Sequence, residues 1–179
     1  MSRIGKVPLT VPKTVKVNVA TNQVQLEGPQ GKLAIDIPSG IRVEFKEDQL
    51  KVLRGDDSKQ SRSNHGTIRS RLNNMINGLV KAHRKELEIQ GIGFRAQMQG
   101  KKVLFNLGLS HPIEFDIPTD LKVSVPTQTS IVIEGPDSVL VGQTAAKMRA
   151  LKPVEPYKGK GIRYVGEHVR RKQGKSVTK

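Results

Sequence analysis

The sequence predicts an α+β protein made of two tandem duplicated domains, each an antiparallel β-sheet with one α-helix packed on a face, plus a basic C-terminal extension. Three observations predict it. Apolar residues alternate with polar ones over most of both halves, the strand signature. Each alternating stretch then gives way to a helical spacing. The second half also repeats the first at an offset of 80 residues. Asp36-Ile37-Pro38 recurs as Asp116-Ile117-Pro118, Val43 as Val123, Val52 as Val132, and Gly55-x-Asp57-Ser58 as Gly135-x-Asp137-Ser138. Gly28 recurs as Gly108 and Arg69 as Arg149, about ten identities over Gly28 to Arg71 where chance gives roughly three.

In the first copy Val15, Val17 and Val19, then Val24 and Leu26, then Leu33, Ile35 and Ile37 keep a period of two, and Gly28-Pro29-Gln30-Gly31 supplies a turn. Ile41, Val43 and Phe45 continue the alternation, Glu47-Asp48 turns the chain, and Leu50 and Val52 close an antiparallel meander. Asp56, Asp57 and Ser58 are helix-capping residue types. Beyond them Ile68, Leu72, Met75, Ile76 and Leu79 share one face of a helix of about 20 residues that ends near Gly78.

The second copy reads the same way through Leu87 and Ile89, then Phe94, Ala96 and Met98, then Val103, Phe105 and Leu107, with Gly100-Lys101 as a hairpin turn. Ile113, Phe115 and Ile117, then Leu121, Val123 and Val125, then Ile131 and Ile133 complete its sheet. Asp137 caps a shorter helix with Val141, Ala145 and Met148 buried, and Pro153 stops it. The expected divisions are residues 1–82, 83–170 and a basic tail at 171–179. Met75, Met98 and Met148 are read as core.

Charge locates the functional end. The formal net charge is +15, and Lys147 to Lys179 hold eleven lysines and arginines against Glu155 and Glu167, so about +9 of it lies there. A polyanion, with nucleic acid ahead of a membrane surface, is the partner this implies. Pro153 to Tyr164, PVEPYKGKGIRY, sets Lys158, Lys160 and Arg163 around Tyr157 and Tyr164, and Gly159 and Gly161 break any helix or strand. Arg170, Arg171, Lys172 and Lys175 follow, and Lys147, Arg149 and Lys152 precede. Lysine and arginine suit phosphates, and a tyrosine face suits a base or ribose. The alternative is a solvated tail, with Ile162 and Tyr164 anchored in the domain's own core.

Other chemistry finds little support. Gly91 to Ala96 fits a loose dinucleotide pattern, but a strand and turn follow where a helix is required. The four histidines are scattered, cysteine is absent, and no nucleophile, metal or cofactor arrangement emerges. No helix offers a dense row of arginine and amide side chains for a DNA major groove, and 3% aromatic content is too low for a base-stacking sheet. The first copy has a nearly neutral surround and is expected mainly to orient or extend the second. The start of the chain lacks a secretory signal's apolar core, and the expectation is a cytoplasmic protein with no membrane role.

The run EPYKGKGIRY with VGEHVRRKQGK after it resembles the signature of the bacterial large-subunit ribosomal protein six family. SRIGKVPLTVP resembles that family's N-terminus, and Gly91 to Ala96 its glycine-aromatic-arginine turn. Val154 departs from it, standing where the family commonly has proline. The resemblance implies a structural, non-enzymatic part of the large ribosomal subunit, without cofactors, that binds 23S ribosomal RNA mainly through its C-terminal domain. It also implies a place near the stalk base, beside neighbouring ribosomal proteins and the elongation-factor-binding region. The RNA contacts it implies are Tyr157, Lys158, Gly159, Lys160, Gly161, Arg163 and Tyr164. Arg170, Arg171, Lys172 and Lys175 would neutralise further phosphates, and Lys147, Arg149 and Lys152 would widen the patch.

Overall fold

The computed structural model describes residues 4–20 and 22–175, so Ser2-Arg3 and the last four residues of the expected basic tail lie outside the described residues. The chain forms two compact units, one running up to His83 with Pro136–Ser138, the other Arg84–Gly135 with the chain from Val139 onward.

Among the described residues the first unit holds six strands and a helix: β1 Leu9–Thr10, β2 Lys16–Val19, β3 Gln23–Gly28, β4 Gly31–Asp36, β5 Ile41–Lys46, β6 Gln49–Arg54 and α1 Lys59–Val80. The strands form two antiparallel three-stranded sheets, ordered β2-β3-β4 and β1-β6-β5, where the alternation alone suggests one meander. Between β4 and β5 lies Ile37-Pro38-Ser39-Gly40, and Gly40 has φ +84°, so the chain turns out of one sheet and starts another. In the β5–β6 hairpin Lys46 pairs with Gln49, and the two residues between, Glu47 and Asp48, both have positive φ. Such a two-residue loop matches the twist of the strands it joins.

Helix α1 starts at Ser58, whose Oγ accepts a hydrogen bond from the Ser61 backbone N–H at 3.1 Å. Asp57 is instead ion-paired with Arg54. The apolar face of α1, Ile68, Leu72, Ile76 and Leu79, is buried with Val24, Leu26, Leu50 and Val52 in one core. His65 joins that face, with its Nε2 2.9 Å from the Val52 carbonyl oxygen.

The second unit repeats the plan: β7 His83–Gln90, β8 Arg95–Gln99, β9 Lys102–Asn106, β10 Ile113–Asp116, β11 Lys122–Thr127, β12 Ser130–Gly135, α2 Ser138–Ala150 and β13 Gly161–Tyr164. Its sheets are ordered β8-β9-β10 and β11-β12-β7-β13. At the offset of 80 residues β3 overlies β9, β6 overlies β12, and the starts of α1 and α2 nearly coincide. Phe105, Leu87, Ile131, Ile133 and Met148 form its core. Met98, expected there, is 41% exposed on β8.

The two copies diverge after Ala150. In α1 the helix continues through the positions equivalent to 151–160, whereas α2 has ended by then. Proline lacks an N–H and disfavours helical geometry in the residue before it, so Pro153 accounts for the stop. Beyond it the chain adds a strand: β13 lies on the edge of the sheet beside β7, with Ile162 opposite Ile89 and Tyr164 opposite Leu87. Among the described residues no helix is long and apolar enough to cross a membrane.

Candidate ribosomal RNA interface

The loop between α2 and β13 is closed by its own backbone. Ile162 N–H donates to the Lys152 carbonyl at 2.8 Å, Glu155 N–H to Lys160 at 2.9 Å, and Gly159 N–H to Glu155 at 3.0 Å. Such loops, joined at the base and tied internally, hold a surface in place without a hydrophobic core of their own. Gly161 closes it: φ is +143°, and a Cβ there would lie 2.7 Å from the Pro153 carbonyl oxygen and 2.8 Å from that of Lys152. The glycine is required by close backbone approach and by its φ.

The expectation that these glycines prevent regular structure is therefore corrected at Gly161, while Gly159 does lie outside any helix or strand. Gly161 begins a strand, and the chain remains packed through Tyr164 because Ile162, 0% exposed, plugs the second core. The tail also returns to the loop, with Lys172 N–H donating to the Pro156 carbonyl at 2.8 Å. The Arg171 guanidinium lies against Gly159, where φ is +71°.

The structure sorts the expected site residues into two groups. Arg163 faces Glu88 across the β13–β7 pair, and its Nε and Nη2 donate to Glu88 Oε2 at 2.9 and 2.8 Å. Arg149 donates through Nε to Glu167 Oε2 at 3.1 Å and through Nη2 to Glu167 Oε1. Glu167 Oε2 also accepts from the Tyr164 backbone N–H at 3.0 Å. The Arg149 guanidinium, then the Tyr164 N–H, hold the Glu167 carboxyl below the usual carboxylate range, and the same pair raises Arg149. Tyr164 has the Arg149 guanidinium 5.8 Å and the Lys85 Nζ 6.0 Å from its ring centroid, so its face is already occupied by cations. These residues brace the loop.

The other cations face outward. Lys147, Lys158, Arg170, Arg171, Lys172 and Lys175 are exposed and Lys152 and Lys160 half-buried, none ion-paired to a carboxylate among the described residues. Tyr157 is 54% exposed and is the tyrosine with a face to offer. Arg163, Glu167, His168, Val169, Arg170 and Arg171 line an open cleft of about 520 Å³ beside the loop. Glu88 and Glu167 were not foreseen as part of the site. The signal available was weak, because Glu167 in a cationic segment suggests pairing but not with which residue, and Glu88, in β7, has no local sequence cue that points to the segment.

Comparison with known proteins agrees with the duplication and the signature. The model of a family described as Ribosomal protein L6 matches this chain twice, over residues 11–81 and 90–165, one match for each copy. The chain is 49% identical over 179 residues to large ribosomal subunit protein uL6 of Gloeothece citriformis, covering all of both chains. It is 47% identical over 176 residues to the protein of that name from Streptococcus mutans, covering 98% of this chain and 99% of that one. The corresponding Geotalea daltonii protein is 45% identical over 179 residues, again covering all of both. A duplicated sheet-and-helix unit, a family model that fits each copy, and this identity from end to end lead to one conclusion: the chain belongs to the Ribosomal protein L6 family.

Proposed function

We propose that this ribosomal protein holds large-subunit ribosomal RNA chiefly through the loop Lys152–Ile162 and the returning segment around Arg170–Lys172. Its role is structural and not enzymatic, in keeping with the family. Lys158, Lys160, Arg170, Arg171, Lys172 and Lys175 contact phosphates, with Lys147 and Lys152 at the margin, while Tyr157 lies against a ribose or base. Gly159 and Gly161 set the backbone path. Arg149, Arg163 and Tyr164 act one step back, fixing the loop through Glu167 and Glu88. The family resemblance adds a location near the stalk base, beside neighbouring ribosomal proteins and within reach of elongation factors.

The observation that carries this reading is the contrast within the cationic segment. Arg149 and Arg163 are paired with carboxylates, whereas Lys158 and Lys160 on the backbone-locked loop, and Arg170, Arg171 and Lys172 on the segment that Lys172 N–H ties to it, have no carboxylate partner among the described residues. A rigid array of unpaired cations binds a folded polyanion with little ordering cost, whereas a free tail pays that cost on binding. Photo-crosslinking of the full-length protein within assembled large subunits tests it. Crosslinked peptides containing Tyr157, Lys158 and Lys160 are expected, and RNA crosslinks confined to other segments would contradict the reading.

A further inference from the structure

The solvent face of α1 is cationic without relief. From Ser58 to Lys85 the sequence has seven lysines and arginines and no aspartate or glutamate, and four of the cations, Lys59, Arg62, Arg69 and Arg71, lie on α1 itself. Solvated helices commonly mix signs, because acid–base pairs three or four residues apart support the helix and limit self-repulsion. Here that support is missing. The carboxylates just before the helix are engaged, Asp57 with Arg54 and Asp56 Oδ1 with the Ser58 hydroxyl at 3.4 Å.

Arg69 is committed to the fold, its Nε donating to the Val7 carbonyl at 3.3 Å. Lys59, Arg62 and Arg71 are exposed and unpaired with any carboxylate among the described residues. With about 3.6 residues per turn, Arg62 and Arg71 fall on opposite edges of the solvent face. Between them lie Ser63, Gly66, Ser70 and Asn74, short side chains that, with Thr67 and with Ile4 from the start of the chain, line an open cleft of about 490 Å³ along the helix.

We propose that this face of α1 is a second RNA-contact surface, separate from the loop of the second unit. A phosphodiester strand runs along the floor, Arg62 and Arg71 reach it from either side, and Ser63, Ser70 and Asn74 offer hydrogen bonds to phosphate oxygens. Hydroxyls, amides and arginines of this kind make the backbone contacts of nucleic-acid interfaces. A protein partner fits less well, because the cleft has no aromatic residue and Ile4 is the one large apolar side chain in its lining, short of the aromatic-rich clusters that carry protein–protein affinity. The first unit, expected mainly to orient or extend the second, then binds in its own right.

The test uses the full-length chain with protein-free large-subunit ribosomal RNA, titrated over a range of salt. The double variant Arg62→Gln/Arg71→Gln should bind about tenfold more weakly at low salt. Loss of two phosphate contacts should also reduce the slope of log affinity against log salt by about 1.4 to 1.8. The charge-keeping variant Arg62→Lys/Arg71→Lys should stay within about threefold of wild type, and the melting temperature should be unchanged in both, as for exposed positions away from the core. Unchanged affinity and slope in the glutamine variant overturn the proposal. The variant Lys158→Ala/Lys160→Ala, run in parallel, separates the two surfaces. Weakening by the α1 variant alone would sink the loop reading and leave this one standing, and weakening by the loop variant alone would do the reverse.

Discussion

Gly161→Ala should uncouple the RNA-facing loop from the fold, and its cost can be worked from the structure. The new Cβ would meet only backbone: the Pro153 oxygen at 2.7 Å, the Lys152 oxygen at 2.8 Å and Val154 Cα at 2.8 Å, at a φ of +143°. None of these atoms is the end of a flexible side chain that could swing aside. Holding alanine at such a φ costs about 1–3 kcal/mol, and forcing the backbone contact apart about 1–3 kcal/mol more. A total of roughly 2–6 kcal/mol in a unit of this size corresponds to about 10–30 °C in melting temperature. Gly166→Ala is the control, since φ there is +81° but nothing lies within 4 Å, leaving only a backbone cost of about 1–2 kcal/mol. Tyr157 and Tyr164 are the only tyrosines, tryptophan is absent, and both tyrosines lie in the second unit, so tyrosine fluorescence tracks that unit's melting by itself. A Gly161→Ala protein melting within about 3 °C of wild type, or a Gly166→Ala protein that loses as much, would refute the reasoning.

The bracing residues and the core give three further expected outcomes. Because Glu167 titrates below its ordinary value of 4.5 in the fold, its contribution to stability is present above that pH and is lost as pH falls through the folded value. Glu167→Gln should thus lower the melting temperature at pH 7, with the gap to wild type narrowing as the pH falls below 4.5 and through the folded value. A gap that stays constant with pH would rule out the charged pair as its cause. A double-mutant cycle on Arg163→Met and Glu88→Gln, read by urea denaturation, should give a coupling of about 0.5–1 kcal/mol for this partly exposed cross-strand pair. Zero coupling would mean that the bridge does not join β13 to β7. Met148→Ala, in the second core, should cost about 2–5 kcal/mol, whereas Met98→Gln should stay within about 0.5 kcal/mol, and equal costs would contradict their burial.

The strands and both helices were legible because their residues alternate or recur at helical spacing over long stretches, and the 80-residue repeat fixed which pieces correspond. The elements that escaped have physical reasons to do so. β1 is Leu9 and Thr10, too short to show a period. β13 is GIRY, where Ile162 and Tyr164 alternate inward but glycines and cations around them mask so short a signal. The split into two sheets per unit depends on where Ile37 to Gly40 redirect the chain, which alternation on either side does not encode. In the candidate interface, the concentration of charge and the glycines were readable, but the division of labour among the arginines was not. Arg163 meets a partner 75 residues away and Arg149 one 18 residues away, pairings set by β13 docking beside β7. Tyr164 illustrates the same limit, an aromatic suited to a base on composition that the fold places beside Arg149 and Lys85.

The most direct measurement is the salt dependence of binding to large-subunit ribosomal RNA for the wild-type chain and for Lys158→Ala/Lys160→Ala/Arg170→Ala. With about five to seven phosphates held, the wild-type affinity should fall by a few orders of magnitude from low to somewhat above physiological salt. The triple variant should lose about two to three units of that log–log slope while melting at the wild-type temperature. An equally steep response from both proteins would contradict the claim that these outward-facing cations grip the RNA.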